Sequence, residues 1–483
     1  MPHLRSYGCQ TMGRFSPPSD KGSYRWKVDL RHPLRMSLST PFTETVHRVK
    51  TTIMFPKQEL RDFAFQITLV FASIGAMFGA QPIYAQQIKG FQRDVKVSAA
   101  SDMDWVYVLA NQSPQTAPEE WTKGYQSTAQ SYELYVPERY DRKRQYPLLV
   151  FVSPSDQAMG FSYWKKLCEK EQMLFAGPHH AGNECEMPKR IHIVLDVISE
   201  VRRNYSVDPD RTYISGFSGG GRVACSIAFA LPEYFGGVVP ICASGDLRDE
   251  DWLRQRVIDR LSVAHLTGDD DFNRGEVERF RDPFLRGVGV RSKAWVAPRV
   301  GHTIPPEKWL GEAFEFVEAG LADRQKLAKQ FPATRVDNAK SPDRETQAQA
   351  LSNEATKRLQ DPQSVHSGLM LLKGVMVRWP DLPLADKAKQ TLLKYEDGKD
   401  QTWREADVAL QRRFIVSRAR AIDAYASGPL PQNYLAQRAD MARNAIELWT
   451  IVIEDGQDAE AVAEAKRRVP ELQKLVDDFG KKD

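Results

Sequence analysis

The spacing of apolar and polar positions changes character along this chain. From about residue 104 to 319, short apolar runs alternate with segments of helical spacing; beyond about 346 only helical spacing remains. Asp104–Ala110 and Gln130–Pro137 alternate apolar with polar and predict two antiparallel strands at a sheet edge. Tyr146–Ser153 is continuously apolar, as a strand buried on both faces requires. Four more strands are predicted at Met173–Gly177, Arg211–Ser215, Phe235–Cys242 and Ser262–Gly268, and another at Val290–Ala297. Helices are predicted between them at Trp164–Glu171, Ile191–Arg203, Gly221–Ala230 and Asp251–Leu261, within Phe272–Leu285, and at Pro306–Ala319, with a turn at Val207–Asp210. Strand, helix, strand in this alternation predicts right-handed βαβ units: an α/β fold, with a mostly parallel sheet and helices on both faces.

The segment from Phe331 to about Glu345 is polar and Pro-containing, which reads as a linker, 331–345. The region 346–483 that follows reads as all-α. Leu384, Ala388 and Leu392 fall four apart, and so do Ala461, Ala465 and Val469. This weakly resembles tetratricopeptide-like helix pairs, and a plain helical bundle fits as well. No chemistry is visible there, and the lone His366 reads as a surface residue. A protein partner is one use for such a tail.

Charge changes the picture at the other end. Residues 1–61 hold 11 Lys/Arg against 4 Asp/Glu, so the chain's net charge of +4 becomes −3 once they are set aside. The basicity belongs to this extension, and nothing in the rest suggests a nucleic-acid partner. Phe63–Ala80 is the one long apolar run; Lys57 and Arg61 precede it and Pro82-Ile-Tyr-Ala85 follows. Basic start, apolar core and small-residue cleavage site make 54–85 an export signal, with membrane attachment only if it stays uncleaved. Met54 is then the natural start and residues 1–53 a mis-assigned extension. The expected location is periplasmic or extracellular. Five cysteines include no C-x-x-C pair, which argues against a zinc site. In an exported protein Cys168 and Cys185 could pair, although buried free thiols fit equally.

The candidate chemistry centres on Gly216-Phe-Ser-Gly-Gly220, between a predicted strand and a predicted helix. Strand, G-x-S-x-G, helix is the context of a nucleophile elbow. A serine on such a turn is held strained with its Oγ exposed, and the flanking glycines lack the Cβ atoms that would collide. Ser218 is the candidate nucleophile, and the Gly219 N–H points at a developing oxyanion. A serine needs a base, and His302 follows the last predicted strand, while His179, His180, His192 and His265 lie before the elbow, in a helix or inside a strand. The acid is expected after the preceding strand, in Gly268-Asp-Asp-Asp271. Asp269 is expected to serve the turn and Phe272 to pack beneath the loop. The second oxyanion donor should follow Leu148–Val152. Pro154 has no N–H, which leaves Ser155.

Tyr132-Glu-Leu-Tyr-Val-Pro137, Val207–Arg222 and Gly301-His302 resemble the α/β-hydrolase superfamily, and within it the secreted polyhydroxybutyrate-depolymerase and feruloyl-esterase-like branch. The resemblance covers about residues 100–322. It implies an α/β-hydrolase domain over 86–330 that cleaves small or polymeric carboxylic esters through an acyl-enzyme, with no metal or organic cofactor. Likeness to hydrolases with a G-x-x-D turn after the strand Ser262–Gly268 implies Asp271 as the acid, with Asp270 as the alternative. Two departures stand out: the oxyanion loop lacks the His-Gly pair, and little lid is visible. A serine peptidase on the same fold, and an inactive scaffold whose tail binds a partner, are the alternatives.

Overall fold

The computed structural model describes residues 89–337, 339–399 and 401–480. The expected extension at 1–53 and export signal at 54–85 lie outside the described residues. No helix among the described residues is long and apolar enough to cross a membrane.

Eight strands form one sheet in the order β1-β2-β4-β3-β5-β6-β7-β8. They are β1 Gly90–Lys96, β2 Ser131–Val136, β3 Tyr146–Val152, β4 Leu174–Pro178, β5 Val207–Phe217, β6 Gly237–Ile241, β7 Ser262–Gly268 and β8 Arg291–Ala297. β1 and β2 pair antiparallel, as do β2 and β4; every other neighbour pair is parallel. Helices cover both faces, and the result is the α/β-hydrolase fold followed by a helical C-terminal region. β3, β4, β6 and β7 are buried along their whole length, and β3, β4 and β6 are accordingly apolar without alternation.

Two local expectations are corrected. Asp104–Ala110 is not the edge strand: it holds a 3₁₀ turn, Val106–Val108, in which all three residues are buried. Its alternation arises because Tyr107 is enclosed by Trp252, Arg248 and Arg378. The true edge strand is β1, GFQRDVK, whose mostly polar residues match a half-exposed strand with a bulge between Gln92 and Val95. The turn expected at Val207–Asp210 is the start of β5, which absorbs Pro209 at a register shift against β3.

The sheet domain does not end with the helix Glu307–Glu318; a further helix, Leu321–Gln330, follows. The stretch read as a linker is docked. Val336 is buried and its N–H bonds Glu233 O at 3.0 Å, while the Ala333 N–H bonds Glu354 Oε2 at 2.9 Å. The helices Arg344–Arg358, Val365–Arg378, Pro383–Glu396, Trp403–Ser427, Arg438–Asp455 and Ala459–Phe479 pack largely on their neighbours in sequence. They also share one apolar cluster with the sheet domain, in which Trp252, Leu253 and Val257 sit with Leu369, Met370 and Phe414. A Cβ on Gly374 would meet the Trp252 ring, so the missing side chain lets that ring lie against the helix. His366 is not at the surface: its side chain is 12% exposed and lies 3.6 Å from Asp407 Oδ1. No bridge joins Cys168 and Cys185. Both are free thiols, and burial pushes each of them up.

Candidate active site

The parallel strands all end at one edge, and the strained backbone gathers there. Among the described non-glycine residues with positive φ, Gln172 ends the helix Phe161–Glu171, while His180, Ser218, Cys242 and Arg299 each lie one or two residues beyond the end of a strand of this sheet. Such conformations cost on the order of 1–3 kcal/mol each and persist where surrounding structure enforces them.

Ser218 has φ 54° and ψ −123°, directly before the helix Gly219–Ala230. Its N–H bonds Ile241 O at 2.9 Å, which ties the elbow to β6. A Cβ on Gly216 would collide with the Gly220 carbonyl, and one on Gly220 with Val152 O. The two glycines therefore let strand, turn and helix close up. Gly219 stands first in its helix, so its N–H has no acceptor within the helix.

His302 lies in the loop after β8. Its Nε2 is 2.9 Å from Ser218 Oγ and its Nδ1 is 2.8 Å from Asp271 Oδ1. Two phenyl rings lie against its ring. Phe217 is tilted at a centroid distance of 5.0 Å, and Phe272 is stacked at 4.1 Å.

Of the three consecutive aspartates, Asp271 turns inward. Its Oδ2 accepts from Thr267 Oγ1 at 2.6 Å and its Oδ1 from the Asn273 N–H at 3.0 Å. Burial pushes its carboxyl up, but the bonds from His302, Thr267 and Asn273 outweigh this and hold it below the usual carboxylate range. Asp269 Oδ1 accepts the Val300 N–H at 3.1 Å and so braces the acid turn against the histidine loop; Asp270 is exposed. A Cβ on Gly268 would collide with Val300 O, which explains the glycine that ends β7.

Phe272 does not pack beneath the loop. It is 59% exposed, because Asn273 takes the inward place: that residue is 6% exposed and its Nδ2 donates to Cys242 O at 2.9 Å. The Cys242 thiol donates to Thr303 O at 3.3 Å, and burial pushes it well up, so it stays neutral. Cys242, Asp271 and His302 have potential metal-ligand atoms within 4.8 Å of one another, but the bonds above already engage all three.

The loops after β3 and β4 are zipped together. Asn183 N–H bonds Pro154 O at 2.8 Å, and the buried Arg190 donates to Ala181 O at 2.6 Å and Ser153 O at 3.1 Å. The N–H of Ser155, the expected second donor, is bonded to Ser153 Oγ at 3.0 Å. The zipped loops bring a different group to the elbow. A Cβ on Gly219 would collide with Asn183 Oδ1 and lie 3.2 Å from its Nδ2. No local signal near Asn183 marks this residue in the sequence, since its place depends on pairing between two loops.

A second serine–histidine–aspartate grouping lies behind β7. Ser244 Oγ is 2.8 Å from His265 Nε2, and Asp282 Oδ1 is 3.8 Å from His265 Nδ1. Ser244 and His265 are fully buried, so no substrate reaches them. Ser218 differs in being only half-buried and in standing on a strained turn.

No family model matches this chain, and no curated protein does. Solved structures with a similar arrangement include a thermostable esterase, at 20% identity and a TM-score of 0.33, covering 39% of this chain and 59% of that one. They also include the S-formylglutathione hydrolase FrmB of Staphylococcus aureus, at 13% identity and 0.32, covering 40% and 92%. A ferulic acid esterase matches at 14% identity and 0.30, covering 41% and 92%. This chain thus spans just over half the length of the first of these proteins and most of the other two.

Proposed function

We propose that this protein is an exported serine esterase acting through an acyl-enzyme. One observation carries the reading: Ser218 Oγ, His302 and Asp271 form a continuous hydrogen-bonded relay at 2.9 and 2.8 Å, with the serine on a strained turn. In the first half-reaction Ser218 Oγ bonds to the ester carbonyl carbon and its proton passes to His302 Nε2. The carbon–alkoxy bond then breaks, and Nε2 delivers that proton to the leaving alcohol. Water repeats the sequence on the acyl-enzyme and releases the acid. Asp271 fixes the imidazole tautomer and faces the imidazolium while it exists. No step requires a metal or organic cofactor.

The Gly219 N–H is the first oxyanion donor. For the second we choose the Asn183 side-chain amide over Ser155, whose N–H is already bonded. A half-turn of that amide exchanges its Oδ1 and Nδ2, which brings the donor toward Gly219. Export rests on the sequence of 54–85. The test of the reading is fluorophosphonate labelling of the purified protein, followed by a panel of short p-nitrophenyl esters, methyl ferulate, acetylated xylan and polyhydroxybutyrate. Modification at Ser218 with turnover of at least one ester is the expected result. No labelling and no turnover would refute the esterase reading.

A further inference from the structure

Phe272 sits where the mechanism needs a wall and leaves it unfilled. His302 Nε2 must come within hydrogen-bond reach of the alcohol oxygen to protonate it. The remainder of the alcohol therefore lies against whatever borders the imidazole. Two rings do so, Phe217 and Phe272. Phe217, at the end of β5, is half-buried, whereas Phe272 is 59% exposed. One face of the Phe272 ring is stacked on the imidazole, 27° from parallel; the rest of the ring faces solvent. The inward bonds of Asp271 and Asn273 on either side hold this outward position. An exposed aromatic ring fixed beside a reacting atom can take a second apolar surface in offset or edge-to-face contact.

We infer that Phe272 forms the leaving-group subsite and selects esters whose alcohol carries a flat apolar group. This rests on the esterase reading above. The acyl group is bonded at Ser218 throughout, whereas the alcohol contacts the imidazole side only until the carbon–alkoxy bond breaks. Phe272 thus acts in acylation and not in hydrolysis of the acyl-enzyme.

Acetates of ethanol and benzyl alcohol test this, because they share one acetyl-enzyme and their alcohols differ little in acidity. With the full-length protein, benzyl acetate is expected to exceed ethyl acetate in kcat/KM by about tenfold or more, a discrimination within reach of one apolar pocket. Phe272→Ala is expected to reduce that ratio to about threefold or less, Phe272→Tyr to retain it, and the pH profile to stay in place. Equal losses on both esters with a displaced pH profile would instead assign Phe272 to positioning His302, and would overturn the inference. So would a wild-type enzyme indifferent to the alcohol. A protein that neither labels at Ser218 nor hydrolyses any ester overturns the esterase reading first, and is distinguishable from both results.

Discussion

Arg378, on the tail helix Val365–Arg378, donates to Glu233 of the sheet domain at 3.1 Å, with both side chains almost fully buried. The same guanidinium donates to Ser113 Oγ at 3.1 Å and to Asp104 Oδ2 at 3.2 Å, and lies over the Tyr107 ring at 4.2 Å. One cation thus joins the tail to two separate segments of the sheet domain. Replacing it leaves Glu233 and Asp104 without their main counter-charge in a low-dielectric setting. Arg378→Met is expected to cost about 3–5 kcal/mol, the usual penalty for breaking a buried pair on one side. Urea unfolding compared with wild type measures this. A loss below about 1 kcal/mol would show that water reaches the site.

A linker at 331–345 would let the sheet domain be separated from the tail, but the shared core argues against that. Removing residues after 320 uncovers Trp252, Leu253 and Val257 and strands Glu233 and Asp251, whose partners Arg378 and Lys373 lie in the tail. The truncated chain is expected to be insoluble or to bind a hydrophobic dye strongly. A monomeric truncated protein with an unchanged melting temperature would disprove this.

The relay predicts a graded series of substitutions. Ser218→Ala is expected to lower kcat on the order of 10⁵–10⁶-fold with little change in folding. Asp271→Asn is expected to lose about 10⁴-fold through the wrong histidine tautomer. Asp270→Asn should stay within about tenfold, since that carboxylate is solvated. A large loss at Asp270 with none at Asp271 would mean that the turn rearranges when substrate binds.

The sequence showed the parts of this site that local rules determine. Glycines mark the elbow, and the G-x-x-D turn of the hydrolases this chain resembles points to Asp271, with Asp270 as the alternative. The order of strands placed His302 after β8. Residues positioned by distant pairing were invisible. Asn183 reaches Gly219 because its loop bonds Pro154, and no periodicity records such a contact. From the sequence Phe272 is expected beneath the loop. The structure gives that place to Asn273, because a buried backbone carbonyl, Cys242 O, needs a donor more than the loop needs another phenyl ring. The segment Asp104–Ala110 mimics a strand for a related reason: the surroundings of Tyr107 come from residues 248, 252 and 378, far along the chain.

Asn183 itself supplies a kinetic prediction. If its amide donates to the oxyanion, Asn183→Ala should lower kcat by about 10²–10³-fold and leave KM nearly unchanged, because the bond strengthens only as charge develops on the oxygen. Steady-state kinetics on one short ester are enough. A rise in KM at constant kcat would point to ground-state substrate binding instead.

The Glu233–Arg378 contact also predicts how stability varies with pH. Burial pushes the Glu233 carboxyl up, but Arg378 and then Arg256 outweigh it and hold the group below its ordinary value. A carboxyl lowered in the folded state releases its proton more readily there than in the unfolded chain. Its stabilisation is therefore fully present above the unfolded pKa of about 4.3, and is lost as pH falls through the lower folded value. Glu233→Gln removes that term and leaves two buried guanidinium groups facing a neutral amide. The variant should be much less stable than wild type at pH 7. As pH falls through the lowered folded pKa the gap should narrow, because wild-type Glu233 is then protonated as well. Melting temperatures of both proteins across pH 3–8 would show the gap closing at the acid end. A constant gap over the whole range would mean that Glu233 acts through its shape and hydrogen bonds, not through its charge.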